Sequence, residues 1–248
     1  MPPAGSYTHY TEPFFGGGSV LFGLSGEGVS ETVNDICEEL SNFWNILRGD
    51  RTFLSFRRMV ENVPLSEPLY NESSNKPIQS VDEIDRAVRF YIKIRQSRQG
   101  LGKSFRTPSK RLRRGMNENV ACWLTSVEGL PEIHKRLKRV EIRNMKFDRF
   151  LNLFDHDKAF HYLDPPYVHE SRTAKDAYKY EMSVEDHTNL LTILENIKGK
   201  FLLSGYPSDL YDTFAKKNGW NSISIKIDNK ASSKAKKPQM TEVLWKNY

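Results

Sequence analysis

The run Ala159 to Leu163 is mainly apolar and ends abruptly at Asp164-Pro165-Pro166-Tyr167. Proline has a fixed φ and no backbone N–H, so two in succession stop a strand and hold the chain in a stiff corner. The Pro165 carbonyl then has no neighbouring ring donor, and Asp164 places a second acceptor beside it. Paired acceptors at a rigid strand end can grip both hydrogens of an NH2 group, while Tyr167 offers an aromatic face to the ring that bears it. A plain turn after a buried strand uses the same residue types, so the reading depends on a partner elsewhere in the chain.

Glu12-Pro13-Phe14-Phe15-Gly16-Gly17-Gly18-Ser19 supplies one. It follows a short strand-like run, His9 to Thr11, and precedes the apolar Val20-Leu21-Phe22, a pattern that predicts strand, glycine turn, helix. Consecutive glycines accept positive φ and let the backbone approach a ligand, and a helix start offers unpaired N–H groups. Such a turn suits a nucleotide-like cofactor, although its spacing lacks the helix-packing third glycine of the dinucleotide fingerprint. Glu31 to Asn34 predicts a second strand ending at Asp35, 17 residues beyond Gly18. That lies near the roughly 20-residue offset at which an acid meets a ribose hydroxyl. Glycine turn, acid and acceptor corner each fall at a strand end, which predicts convergence at one rim of an α/β sheet.

Between these motifs the charge is uneven. From Arg86 to Gly115 there are 11 Lys and Arg residues and no Asp or Glu; without them the chain holds 26 basic against 31 acidic residues. The whole positive balance of +6 therefore resides in this segment. Concentrated among Phe90, Tyr91 and Phe105, it is the footprint of a surface that tracks phosphates. Asp82-Glu83-Ile84 opens a helix carrying Val88, Tyr91, Ile92 and Arg95, and Gln96 to Gly115 reads as a mobile loop. That loop offers Arg95, Arg98, Lys103, Arg106, Lys110, Arg111, Arg113 and Arg114 to DNA, with Gln96, Gln99 and Asn117 as candidate adenine readers. Trp123 and Leu124 are expected in the core of this lobe.

At 248 residues the chain suits one α/β domain with an inserted lobe. The expected division is a catalytic domain of residues 1–50 and 136–248, interrupted by a recognition domain of residues 51–135. Cys37 and Cys122 are too few for a disulfide framework, which points to a reducing cytosol. No signal peptide or membrane-length apolar run is visible, and the six histidines show no metal-ligand spacing. No metal and no membrane are therefore expected. His161 and His169 are read as packing or polar neighbours of the corner. Ser183-Val184-Glu185-Asp186 reads as a helix cap ahead of Leu190, Leu191 and Leu194, and Phe201 to Ser204 as another core strand. Tyr206 follows that strand, and Asn229 to Gln239 reads as a basic hairpin loop.

Glu12 to Phe22, Asn34-Asp35-Ile36, Asp164 to Tyr167 and the ending Glu242 to Tyr248 together resemble the Dam-type N6-adenine DNA methyltransferases. Their order, cofactor turn, long insertion, catalytic tetrad, is that of the family's alpha group, and the resemblance covers nearly the whole chain. It implies a doubly wound, mostly parallel α/β sheet with an inserted, mainly helical DNA-recognition lobe, and S-adenosylmethionine as cofactor. By resemblance Glu12, Pro13, Phe14, Phe15, Gly16, Gly17 and Gly18 hold the methionine part, Asp35 the ribose, and Phe147 also faces the cofactor. Asp164, Pro165, Pro166 and Tyr167 form the catalytic tetrad, and Tyr206, where family members close the substrate pocket, is a candidate base contact. The chain departs from the family at three places: no Trp, Gly-Gly and Lys segment precedes the first strand, Lys146 stands where an acid is usual before Phe147, and Cys37 replaces an Asn.

The implied reaction is methyl transfer from S-adenosylmethionine to the N6 amine of adenine in duplex DNA, with the base flipped out. The enzyme is expected as a monomer in the cytoplasm of a bacterial or phage-infected cell. Two alternatives remain: a DNA-binding protein of this fold with weakened cofactor binding, and a methyltransferase for RNA or a glutamine amide.

Overall fold

A computed structural model describes residues 1–3, 5–75, 82–167, 180–228 and 239–248. From the N-terminus the elements are β1 (His9–Glu12), a 3-10 turn (Leu21–Gly23), β2 (Ser30–Asn34), α1 (Glu38–Arg48), α2 (Asp50–Glu61), α3 (Glu67–Asn75) and α4 (Glu83–Arg95). There follow β3 (Leu112–Arg113), β4 (Met116–Asn117), α5 (Glu118–Glu128), α6 (Leu130–Leu137), β5 (Val140–Arg143), α7 (Phe147–Phe154) and β6 (Ala159–Leu163). Last come α8 (Val184–Glu195), β7 (Lys200–Gly205), α9 (Asp209–Asn218), β8 (Asn221–Asp228) and β9 (Gln239–Lys246).

Seven strands form one sheet in the order β5-β2-β1-β6-β7-β9-β8. β1 runs parallel to β2 and to β6, and β6 parallel to β7; β9 is antiparallel to both β7 and β8. The sheet is thus mostly parallel, as expected. From β1 the chain builds outward through β2, then returns to β1's other side at β6, so the strand order reverses between β1 and β6. In open α/β sheets ligands bind at the carboxyl ends of the strands at such a reversal.

Two compact units divide the chain, residues 1–36 with 143–248, and residues 37–142. The first is cored by Leu163, Leu190, Leu191, Leu194, Phe201, Leu203 and Trp245, all nearly inaccessible. α8 starts where the sequence says it should: the Ser183 hydroxyl accepts the Asp186 N–H and the Asp186 carboxylate accepts the Ser183 N–H, satisfying two otherwise orphaned donors. Its Leu190, Leu191 and Leu194 then fall on the buried face.

The second unit is mainly helical and begins and ends outside the 51–135 interval expected for an insertion, because α1 packs with α4 and α2. Its core is aromatic: Phe43 meets Trp44, Phe56 and Tyr91, and Tyr91 meets Trp123. Trp123 is buried with its indole N–H donated to the Val63 carbonyl at 2.8 Å. Leu124, expected beside it, is exposed instead, since it lies one residue, about 100°, round the helix from Trp123.

Gln96 to Gly115, expected as a mobile loop, has built-in structure. Ser97 bridges to Phe105, and β3 and β4 form a hairpin turned by Arg114 and Gly115 at φ 55° and 72°.

Candidate active site

Glu12 closes β1, and Asp164 follows directly on β6, its immediate neighbour in the sheet. The reversal of strand order therefore brings two carboxylates from distant parts of the sequence to one rim. Glu12 is 2% exposed. Burial, aided by the nearby Asp164 and Glu31 charges, pushes its carboxyl up to about 7, against hydrogen bonds from the Tyr10 hydroxyl and the Leu21 backbone that favour the ionised form. The Tyr10 bond is 2.7 Å long, and Tyr10 itself is buried. Glu12 thus fastens the glycine turn from beneath.

Above it the turn is held to β2: Phe15 N–H donates to the Asn34 carbonyl at 2.9 Å, and Gly16 N–H to the Asp35 carboxylate at 2.9 Å. Asn34 spans the same region, its amide donating to the Pro13 and Met145 carbonyls. The Phe14 and Phe147 rings meet tilted, with centroids 5.5 Å apart. All nine residues expected to face a cofactor, Glu12 through Gly18, Asp35 and Phe147, belong to the first unit. Gly18 has φ +68°, and a Cβ there would come within 2.6 Å of the Phe15 and Phe22 rings, so only glycine fits. At Gly16 and Gly17 a Cβ would meet nothing within 4 Å; the turn presents open backbone, as a cradle for a cofactor requires.

No α-helix follows this turn. The pattern read as helix, Val20 onward, yields only the 3-10 turn Leu21–Gly23. Gly23, Gly26 and Gly28 favour unwinding so soon after the turn that no α-helix propagates.

At the corner, Pro165 is buried and Pro166 and Tyr167 half-buried, while Asp164 remains open to solvent. Even so, desolvation by the surrounding protein dominates and pushes the Asp164 carboxyl up to about 6; the Tyr167 hydroxyl opposes this and the Glu242 charge adds to it. Tyr167 donates its hydroxyl to Glu242 Oε1 at 2.8 Å and lies 3.2 Å from Ser204 Oγ. Tyr206 meets Tyr167 edge to face with centroids 4.6 Å apart, so the aromatic expected after β7 does reach the corner.

Glu242 and Ser204 had no sequence signal for this role: Glu242 lies 75 residues from Tyr167 and comes to it only because β9 inserts antiparallel beside β7. His161 is a polar neighbour buried in β6, its Nδ1 2.7 Å from Thr11 Oγ1 and its Nε2 3.5 Å from Asp155. His169 and residues 229–238 of the expected hairpin loop lie outside the described residues. Among the described residues there is no group of three or more His, Cys, Asp and Glu suited to a metal, and no helix long and apolar enough to cross a membrane.

In the second unit, Arg95, Arg98, Lys103, Lys110, Arg111, Arg113 and Arg114 are exposed and Arg106 half-buried. Several of these cations are already engaged, Arg113 among them through a contact to Cys122 Sγ at 3.4 Å. Arg114 forms a two-pronged pair with Glu128 at 2.8 and 3.0 Å, and Arg106 donates to the Arg95 carbonyl. Gln96 is not an available adenine reader: it is fully buried, its amide accepting from Ser66 N–H and donating to the Pro64 carbonyl. Asn117 is likewise committed as the cap of α5, accepting from Asn119 N–H and donating to the Ser109 carbonyl.

A mostly parallel sheet with a glycine turn and an acceptor corner on neighbouring strand ends is the α/β class that binds ligands at a reversal of strand order. Comparison with known proteins makes the class specific. The model for D12 class N6 adenine-specific DNA methyltransferase matches residues 1–230, and the chain belongs to that family. It is 27% identical to the Type II methyltransferase M1.LlaDCHI of Lactococcus lactis subsp. cremoris, over 98% of this chain and 87% of that one. It is 22% identical to the Type II methyltransferase M.CviBI of Paramecium bursaria Chlorella virus NC1A, over 83% and 77% of the two chains. With the Type II methyltransferase M.MjaIII of Methanocaldococcus jannaschii the identity is 25%, over 75% and 68%. The protein is an adenine-specific DNA methyltransferase, and its family membership implies use of S-adenosylmethionine.

Proposed function

We propose that Asp164 and the Pro165 carbonyl accept the two N6 hydrogens of an adenine flipped out of duplex DNA, with Tyr167 against the base. The amine is a poor nucleophile because its lone pair is delocalised into the ring. Two fixed acceptors favour a more tetrahedral nitrogen and stabilise the positive charge that grows on it, as preorganised electrostatics does elsewhere. Extruding the base costs a few kcal/mol, and stacking on an aromatic ring returns about 1 to 3 kcal/mol of it. The remainder falls to contacts with the DNA backbone.

Glu12, Pro13, Phe14, Phe15, Gly16, Gly17, Gly18, Asp35 and Phe147 would hold S-adenosylmethionine, which supplies an activated methyl group when bound. The second unit would serve as the recognition domain in the cytoplasm of the cell, with Arg98, Lys103, Lys110 and Arg111 on phosphate or base edges. The observation that carries the assignment is the position of Asp164, directly after β6 and beside Glu12 at the reversal of strand order.

Asp164→Ala is expected to abolish labelled-methyl transfer to duplex DNA while leaving DNA affinity within a few-fold, because the lost acceptor acts on the amine. Equal loss of both would remove the assigned role. Equilibrium binding of S-adenosylmethionine checks the cofactor cradle independently, and no binding at millimolar concentration would reject it.

A further inference from the structure

We infer that Glu242 is a positioning residue for the transfer: by accepting the Tyr167 and Ser204 hydroxyls on one oxygen, it fixes the Tyr167 ring and leaves Asp164 to the substrate amine. The inference rests on the reading of Asp164 to Tyr167 as the reacting corner. Both bonds are short, 2.8 Å from Tyr167 and 2.6 Å from Ser204. Both end on the same oxygen, Oε1 of Glu242.

Three features make this more than a filled hydrogen-bond vacancy. The first is anchorage: the Tyr167 hydroxyl is tied to the sheet through Ser204 of β7 and Glu242 of β9, which are hydrogen-bonded neighbours in the order of strands. A ring pinned at its far end, with Tyr206 edge-on at 4.6 Å, has one orientation, and an oriented face is what a stacked base needs.

The second feature is proton bookkeeping. A tyrosine hydroxyl has one proton to donate. Tyr167 is in reach of both Asp164 and Glu242, and donation to Asp164 would occupy an oxygen that the amine requires. Tyr167 gives it to Glu242 at 2.8 Å, an acceptor also held by Ser204, which leaves the Asp164 oxygens to the amine. The third is proximity: burial is the main cause that raises Asp164 and the phenols Tyr162, Tyr167 and Tyr206, and the Glu242 charge adds to it at each, so Glu242 stands near all of them.

The test is a cycle of Glu242→Ala and Tyr167→Phe, with Glu242→Gln as the conservative variant, read as kcat and KM for duplex DNA in the full-length chain. Expected are a fall in kcat of tenfold or more for Glu242→Ala and for Tyr167→Phe, DNA KM within threefold, and no further loss in the double variant. Glu242→Gln, which keeps an acceptor oxygen in place, should stay within about threefold of the unaltered protein. Full kcat in Tyr167→Phe overturns the inference even if Glu242→Ala does not fold. So does a loss in Glu242→Gln as deep as in Glu242→Ala, or multiplicative losses in the double variant. Asp164→Ala in the same assay separates the two levels: if it retains transfer the reacting corner itself is wrong, whereas if it alone is inactive only the role of Glu242 is.

Discussion

Glu12 and Asp164 terminate adjacent parallel strands, and the Asp164 charge adds to the burial that pushes Glu12 up to about 7. Asp164, for its part, is raised to about 6, chiefly by desolvation. Only an ionised Asp164 accepts its N6 hydrogen without presenting a competing donor to the amine. As the pH falls through about 6 the carboxyl gains a proton and kcat should fall with it, approaching a tenfold loss per pH unit. Single-turnover transfer measured from pH 5 to pH 8 reads this directly. A rate that stays flat down to pH 5 would remove the ionised carboxylate from the chemical step.

Glu12 bears on stability instead. Its folded-state value lies above its unfolded one, so between about 4.5 and about 7 the folded protein binds the extra proton. Stability from this group is fully present below the unfolded value and is lost as the pH rises through the folded one. Glu12→Gln keeps an acceptor for the Tyr10 hydroxyl and removes the buried charge. At pH 8 it should stabilise the cofactor-free protein by about 3 kcal/mol, a gain that vanishes near pH 4. Urea unfolding at the two pH values checks the sign, and a variant equally stable or weaker at pH 8 would show that Glu12 is comfortably ionised in the fold.

Gly17 and Gly18 are adjacent but should respond differently to alanine. At Gly18 the new methyl would strike the Phe15 and Phe22 rings in a backbone already at positive φ. Gly18→Ala should therefore destabilise by roughly 1 to 3 kcal/mol. At Gly17 a Cβ meets open space, so Gly17→Ala should fold normally and lose affinity for S-adenosylmethionine by tenfold or more. Thermal unfolding and calorimetric titration separate the two effects; undiminished cofactor affinity in Gly17→Ala would place the ligand away from the turn.

What the sequence made legible was local. The double proline could only end a strand, and the glycine run could only be a turn, so β1, β2 and β6 and their ends were readable from residue chemistry. The capping box of α8 and the leucines behind it were equally plain. Glu242 was not, because its role depends on β9 lying next to β7, a pairing fixed by tertiary packing rather than by any motif. Gln96 misled for a related reason: an exposed-looking amide in a basic loop is fully buried, satisfied by Pro64 and Ser66 from 30 residues or more away. The 3-10 turn at Leu21–Gly23 shows propensity overruling pattern, with glycines too dense for the apolar triplet to nucleate a helix.

The basic segment yields a final contrast, between Arg111 and Arg114. Each neutralised phosphate releases condensed counterions, so the slope of log affinity against log salt changes by about 0.9 for each phosphate contact on duplex DNA. Arg111 is exposed, and its hydrogen bonds among the described residues are backbone ones, its N–H donated to the Ser109 hydroxyl and its carbonyl accepting from the Glu118 N–H. Arg114 is clasped by Glu128 with both prongs of its guanidinium, and by Thr125. Reaching a phosphate would require Arg114 to leave that pair or to bring an acidic neighbour toward the DNA. Arg111→Ala should accordingly flatten the salt slope by about one, and Arg114→Ala by distinctly less. Binding isotherms between 50 and 200 mM salt on one duplex decide it. Equal slopes for both variants would mean that the Glu128 pair opens on DNA, and an unchanged slope in Arg111→Ala would take this hairpin out of the phosphate contact altogether.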